Sequence, residues 1–487
     1  MITTSTNGKS LRGKAGQQIA LVGLGIYVVF APHSVAASVI GVGLAGLGWV
    51  IRTLQTRSLG LRWSKFDLII LLSLLWTVAS AVLSEELRIS VAKLQASWCV
   101  FIFYLARATL TRRSALILVV LWIVSASAGA LYSAFDLLRG RGVVVESIAA
   151  GSPFNEIGIR SGDTIWQINR RRVYSVSDID QALSELSPIA PVTVGIISQG
   201  EQVERFFWLR QASASGLTGT EHNHRFRASG WTRHYETFAE LIQMIAQLAL
   251  GFALAHLRNH GPNKIFRIAI VAAALLTAAL VFTAMRTVII AFVIGASVMA
   301  LRSLRATLRV VFTFALFAVL AFAAVVVWQT RDRNALLLGD PSSSLRHEVA
   351  SNGLSRILIH PIFGHGMDAM QLHWNEWGFP GKDMLHLHST PLQLAFDRGL
   401  PMLALWLWMM ILFWLTIARA ERRAADLSDT NFYGILLGTL GALTGFLMSS
   451  LVNYNYGDAE VAMMFWFLMG IGLIGPIRHI GPITSSD

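Results

Sequence analysis

The sequence is a succession of apolar runs, each about the length needed to cross a bilayer, and this limits what the chain can fold into more than any other feature. A crossing needs roughly 20 mostly apolar residues to cover a hydrocarbon layer about 30 Å thick. Runs of this kind fall at about 18–32, 35–51, 66–83, 94–110, 115–135, 238–257, 265–284, 286–302, 309–328, 391–418, 432–451 and 459–477. In hydrocarbon a segment must satisfy its own backbone N–H and C=O groups, so each run is expected to be a helix. Ala31-Pro-His-Ser34 predicts a tight turn or a kink between the first two. Only 14% of residues are charged, against about 25% in ordinary soluble domains. The expected fold class is mainly α, a polytopic membrane protein of about twelve transmembrane helices.

Charge placement gives an orientation. The formal net charge is +12, and many Lys and Arg residues sit in short clusters at the ends of apolar runs. Arg52, Arg57, Arg62 and Lys65 follow the second run, and Arg107, Arg112 and Arg113 the fourth. Arg258, Lys264 and Arg267 follow the sixth, Arg302, Arg305 and Arg309 the eighth, and Arg419, Arg422 and Arg423 the tenth. Basic loops face the cytoplasm, so this count puts both termini inside and residues 136–237 and 329–390 outside. The basic balance is therefore assigned to topology and membrane lipids, with no nucleic-acid partner. Lys9, Arg12 and Lys14 precede the first run with no small-residue cleavage site, so no cleavable signal peptide is expected. The single cysteine, Cys99, excludes an intramolecular disulfide.

The first outer segment has the pattern of a small domain. Val143-Val-Val145, Thr164–Ile168, Val192–Ile197 and Val203–Trp208 read as strands, and Asp178–Leu186 as a helix capped by Ser177. Gly142-Val-Val-Val145, Gly151-Ser-Pro153, Ile157-Gly-Ile159, Ser161-Gly-Asp163 and Ile168-Asn169 then resemble a bacterial PDZ domain in order and spacing. That resemblance implies a small α/β extracytoplasmic domain at 139–210, inserted after the N-terminal helices (1–138). It also implies a groove that binds an extended peptide as an added strand, with Arg141, Gly142, Val143 and Val144 receiving it. Residues 211–237, rich in Ser, Gly, Thr and His around Ser213–Gly230, read as a flexible return linker to the central helices (238–328).

The second outer segment, 329–390, precedes the C-terminal helices (391–487) and holds His347, His360, His365, His373, His386 and His388 with Arg346, Arg356 and Lys382. Ser344–Ile359 reads as an amphipathic helix, ended by His360-Pro-Ile-Phe-Gly-His-Gly366. Such a concentration of histidines could ligate zinc. No HExxH is present, since His347-Glu-Val-Ala-Ser351 fails at its last position, and no GxSxG occurs. The competing chemistry pairs an imidazole base with guanidinium groups, whose fork matches phosphate oxygens. Arg286, between two apolar runs on the same expected face, is a further candidate.

Met285-Arg-Thr287, Arg346, His360-Pro-Ile-Phe-Gly-His-Gly366 and His388-Ser-Thr-Pro-Leu-Gln-Leu-Ala-Phe-Asp-Arg-Gly-Leu-Pro401 occur in the order seen in the O-antigen ligase and polymerase superfamily, which the chain resembles over roughly 230–475. Ser389 stands where that family usually has Asn, and Asp397-Arg398 where Glu with an apolar neighbour is common. The resemblance implies an inverting, metal-independent glycosyltransferase in a bacterial inner membrane, with no cofactor. Its donor would be an undecaprenyl-pyrophosphate-linked glycan and its acceptor a lipid or protein. His388 would be the base, with Arg286 and Arg346 on the pyrophosphate. Arg356, His386 and Lys382 are expected to assist substrate binding. The alternatives are a polysaccharide polymerase of the same superfamily, or a non-enzymatic scaffold or transporter built around the PDZ-like domain.

Overall fold

The computed structural model describes residues 13–61, 63–169, 171–187, 190–198, 201–209, 215–232, 234–330, 341–381, 386–425 and 429–474. The chain begins with α1 (Lys14–Phe30), α2 (Val35–Thr56), α3 (Lys65–Val82), α4 (Leu87–Thr109, tightened over Leu94–Cys99) and α5 (Arg112–Arg139). The turn at Ala31–Ser34 separates α1 from α2, and Ser34 caps the second helix.

The inserted domain follows as β1 (Arg141–Ile148), β2 (Thr164–Ile168), β3 (Arg171–Arg172), α6 (Val176–Ser184), β4 (Ala190–Ser198), β5 (Glu201–Leu209) and β6 (Leu217–Asn223). Its antiparallel sheet runs β5-β4-β2-β1-β6, with β3 on β2. Val143, Val145, Ile165, Val192, Val194 and Phe207 alternate into a core closed by Ile179 and Leu183 of α6. The helix begins earlier than the sequence predicts. Ser175 and Asp178 form a reciprocal capping box, so Ser175 and not Ser177 is the cap.

After the domain come α7 (Tyr235–His260), α8 (Lys264–Phe282), α9 (Arg286–Ser303), α10 (Ala306–Thr330), α11 (Pro341–Ile357), α12 (Thr390–Ala425), α13 (Thr430–Ser450) and α14 (Ala459–Gly472). Among the described residues ten helices are long and apolar enough to cross a membrane. The shorter apolar helices α1 and α14 occupy the other two expected positions. The protein is therefore a mainly α, multi-pass membrane protein carrying a small α/β domain.

Helix α7 is the central column, buried throughout its apolar window and packed against α5, α8, α9, α13 and α14. The expected basic clusters gather at one end of the helices. There Arg107 pairs with Asp67 at 2.7 Å, Arg302 pairs with Glu421 and donates to Ala418 O, and Arg52 donates to Ala108 O. Arg52 thereby supplies a donor to a C-terminal carbonyl of α4. The inserted domain and the histidine-rich segment emerge at the opposite helix ends.

One strand is new. β6 lies in the segment read as a flexible linker, and it pairs with β1 along Arg141↔Asn223, Val143↔Glu221 and Val144↔Thr220. Its other side meets α6, so it lies in the slot between β1 and that helix. β1 is thus paired on both edges, with β2 on one side and β6 on the other. The edge at Arg141, Gly142, Val143 and Val144, which the sequence reading offers to a peptide, is filled by a strand of the same chain. Arg141 is 2% exposed, ion-paired to Asp136 and bonded to Ser229 Oγ, which turns it away from a ligand.

A bound peptide must displace this strand. Labelled C-terminal peptides added to the full chain should give no change in fluorescence anisotropy. Thr218→Pro with Thr220→Pro, which removes ladder donors, should reveal binding. Equal binding before and after the substitutions would show that the edge is open.

Candidate active site

The site is built on a break in α12. Gly399 has φ +80 and ψ 170 inside that helix, and Pro401 follows with no N–H to donate. The interruption frees the carbonyls of Phe396 and Asp397, which would otherwise accept from residues 400 and 401. The turn ending α11 takes both. His365 N–H donates to Phe396 O at 2.8 Å, and Gly366 N–H to Asp397 O at 3.1 Å. In return Leu400 N–H donates to Pro361 O at 2.8 Å, and Trp76 of α3 donates to Arg398 O at 2.9 Å while stacking on Phe363. Only glycine fits at two of these contacts. A Cβ at Gly399 would lie 1.8 Å from Ile362 O, and one at Gly364 would lie 2.5 Å from the Asp397–Arg398 backbone. The His-Pro-Ile-Phe-Gly-His-Gly and Asp-Arg-Gly-Leu-Pro stretches are therefore two halves of one joint.

The joint fixes the start of α12 beneath a cavity of about 330 Å³. His386, His388 and Gln393 line one side, Glu236 and Glu240 of α7 another, and Asn453–Asn455 a third. His388 has φ +50, an uncommon conformation for a residue with a Cβ. It is held between Leu387 N–H, which donates to Gln393 Oε1 at 2.8 Å, and Thr390, which donates to Asn453 O. His388 Nε2 is buried and has no hydrogen-bond partner among the described residues. Its pKa falls to about 3, first through burial and then through His386 and the positive charge of Arg346. His386, whose ring centre is 4.4 Å away, is lowered for the same first reason. Both rings are neutral at physiological pH. Arg346 lies 3.6 Å from Glu236, and its Nε is buried without a partner among the described residues. The arrangement offers a neutral imidazole with an unpartnered Nε2 near an incompletely satisfied guanidinium; in the tautomer with Nε2 bare it suits proton removal next to an anion.

Comparison with known proteins adds to this geometry. Residues 271–407 match the family model described as O-antigen ligase, and residues 125–204 match that of a PDZ domain. Both matches fall on the regions where the sequence resembles those two families. No curated protein matches it. The ligase match contains Arg286, Arg346, His388 and both halves of the joint, and it implies glycan transfer at a membrane. The PDZ match ends within β5, so β6 lies beyond it.

Of the residues singled out from the sequence, the ligase region brings His386, His388 and Arg346 together. Arg286 opens α9, one residue before Thr287, whose Oγ1 lies 3.1 Å from Asn453 Nδ2. Asn453 also holds Thr390, so the start of α9 is tied to the His388 loop by a short chain of hydrogen bonds. Arg356 stands apart from the cavity wall. It lies over the Trp377 ring and donates to Trp377 O. Lys382 lies outside the described residues. The sequence reading passed over Glu240, which is 3% exposed and takes donors from Ser449, Asn453 and Asn455. Glu236 and Glu240 at i and i+4 share one face of α7, and a carboxylate inside an apolar run was the signal available.

Two glycines separate the joint from ordinary turn strain. Gly378 has φ +72 and nothing near its missing Cβ, so Gly378→Ala should cost about 1–2 kcal/mol from backbone conformation alone. Gly399→Ala adds a collision with Ile362 O and should cost roughly 2–6 kcal/mol. Thermal unfolding in detergent compares them, and a smaller fall in Tm for Gly399→Ala would contradict the interlock.

Proposed function

We propose that the protein is an inverting glycosyltransferase of a bacterial inner membrane. It moves a glycan from an undecaprenyl-pyrophosphate carrier to a lipid or protein acceptor outside the cytoplasm, and no metal takes part in the transfer. The observation that supports this most directly is His388, a neutral, buried imidazole lining a cavity near Arg346, with Nε2 unpartnered among the described residues. In the proposed step the acceptor oxygen attacks the anomeric carbon as His388 Nε2 takes its proton. The bond from that carbon to the pyrophosphate oxygen breaks, and the lipid diphosphate leaves with the bonding electron pair. Arg346 and Arg286 balance the charge that develops on the leaving group, and His386 contributes to binding. Inversion follows from a single displacement.

Purified chain with lipid-linked glycan and an acceptor tests the roles. His388→Ala should lower kcat by about 10²–10⁴-fold, the usual range for loss of a general base. Arg346→Ala and Arg286→Ala should lower kcat/KM strongly, with Arg346→Lys recovering only part of it because Lys lacks the bidentate fork. Turnover unchanged in all of these variants would remove the assignment. Supplying a second lipid-linked glycan as acceptor separates polymerisation from ligation.

The pH profile supplies an independent check. The base form of His388 is the neutral one and its pKa is lowered, so protonation claims it only at acid pH. Free-enzyme kcat/KM should therefore stay level as pH falls through 6.5, the ordinary imidazole value. A bound diphosphate favours the imidazolium, so the acid limb of kcat should lie at higher pH than that of kcat/KM. The opposite order would contradict a base that faces the leaving anion.

A further inference from the structure

A second cluster lies away from the His388 cavity, at the foot of the joint. Glu85, in the turn between α3 and α4, faces His360 and His365 of the turn that follows α11. None of the three lines the cavity. His360 Nε2 is 3.0 Å from Glu85 Oε1, and His365 Nδ1 is 3.6 Å from Glu85 Oε2. The potential ligand atoms of all three lie within 4.8 Å of one another.

His365 decides what this cluster needs. The residue is 2% exposed, wedged between Trp377 and Phe396, and its Nε2 sits 2.9 Å from the backbone oxygen of Arg356. A carbonyl accepts only, so Nε2 carries the hydrogen and Nδ1 of the neutral ring is a bare lone pair. That lone pair is buried, lacks a hydrogen-bond partner among the described residues, and points toward a carboxylate oxygen. Two acceptors face each other, and a cation between them would satisfy both. Imidazoles that ligate metals commonly donate their second N–H to a backbone carbonyl, as His365 does.

We propose that Glu85, His360 and His365 form a binding site for a first-row divalent cation of the zinc type. The ligands would be Glu85 Oε, His360 Nε2 and His365 Nδ1, with water in the remaining position. Zinc at about 2.0–2.1 Å from each ligand places them roughly 3.4 Å apart, and the two separations from Glu85 already bracket that spacing. Glu85 and His360 are 53% and 40% exposed at their side chains, so they can close on the fixed His365. Two imidazoles disfavour magnesium and calcium, which prefer oxygen ligands. The ion would rivet the α3–α4 turn to the joint that fixes α12, a positioning role separate from the transfer chemistry.

The test uses the full chain in detergent, purified without a histidine tag and stripped with chelator. Zinc titrated at pH 7.5 by calorimetry should show one saturable site of micromolar or tighter Kd, and zinc should raise the Tm. Magnesium and calcium should do neither. Glu85→Gln and His360→Ala should each weaken binding at least tenfold and abolish the Tm shift, while their metal-free Tm falls by less than the shift zinc gives the wild type, because neither side chain is fully buried. Absence of saturable zinc binding in the wild type would overturn the site and leave a proton to satisfy His365. Affinity unchanged in both variants would overturn it as well, by placing the ion at another group such as Glu86, His373 and Glu376.

Discussion

An exchange of backbone hydrogen bonds between a broken helix and a tight turn underlies the organisation of the site. A helix interior normally satisfies its own carbonyls, and opening one inside a membrane protein costs several kcal/mol per unsatisfied group. Gly399 and Pro401 open α12, and the amides of His365 and Gly366 close it again. The kink is stable only with the turn docked, and the turn has its geometry only where the carbonyls are exposed. The first turns of α12, and with them His388, are set by this mutual dependence and not by helix propensity.

The second constraint is electrostatic. The cavity wall brings two neutral imidazoles together with Glu236, Glu240, Asp368 and Asp458 at the end of the central helix, and Arg346 lies beside Glu236. Glu240 is satisfied by three side-chain donors and Glu236 lies beside Arg346. Among the described residues His388 Nε2 and Arg346 Nε are left with unused hydrogen-bonding capacity. Burial of such atoms is unfavourable unless something binds them. A hydroxyl for the first and a phosphate oxygen for the second would match their chemistry.

Much of this was legible in the residues. The helices followed from apolar run length, and the sorting of basic clusters to one face followed from the cost of moving charge across a bilayer. The His-Pro-Ile-Phe-Gly-His-Gly and Asp-Arg-Gly-Leu-Pro stretches could be seen as important, but nothing in either says that each completes the other, because the coupling runs through backbone atoms that composition does not reveal. Arg356 has the residue type of a phosphate ligand, yet Trp377 engages it. Glu240 was hidden by its setting, since an acidic residue within an apolar run is diluted in any average taken over a span. β6 was missed for a related reason. Leu-Thr-Gly-Thr-Glu-His-Asn has weak strand character, and pairing with β1 supplies what its own residues lack.

β6 has a mechanical meaning as well. The strand is the last element of the inserted domain before α7, whose first two turns carry Glu236 and Glu240. While it is zipped to β1, only residues 224–234 make that connection. A competing polypeptide that took its place would pay out seven residues of slack immediately upstream of the cavity wall. The groove and the helix that carries Glu236 and Glu240 are thus joined in series along one piece of chain.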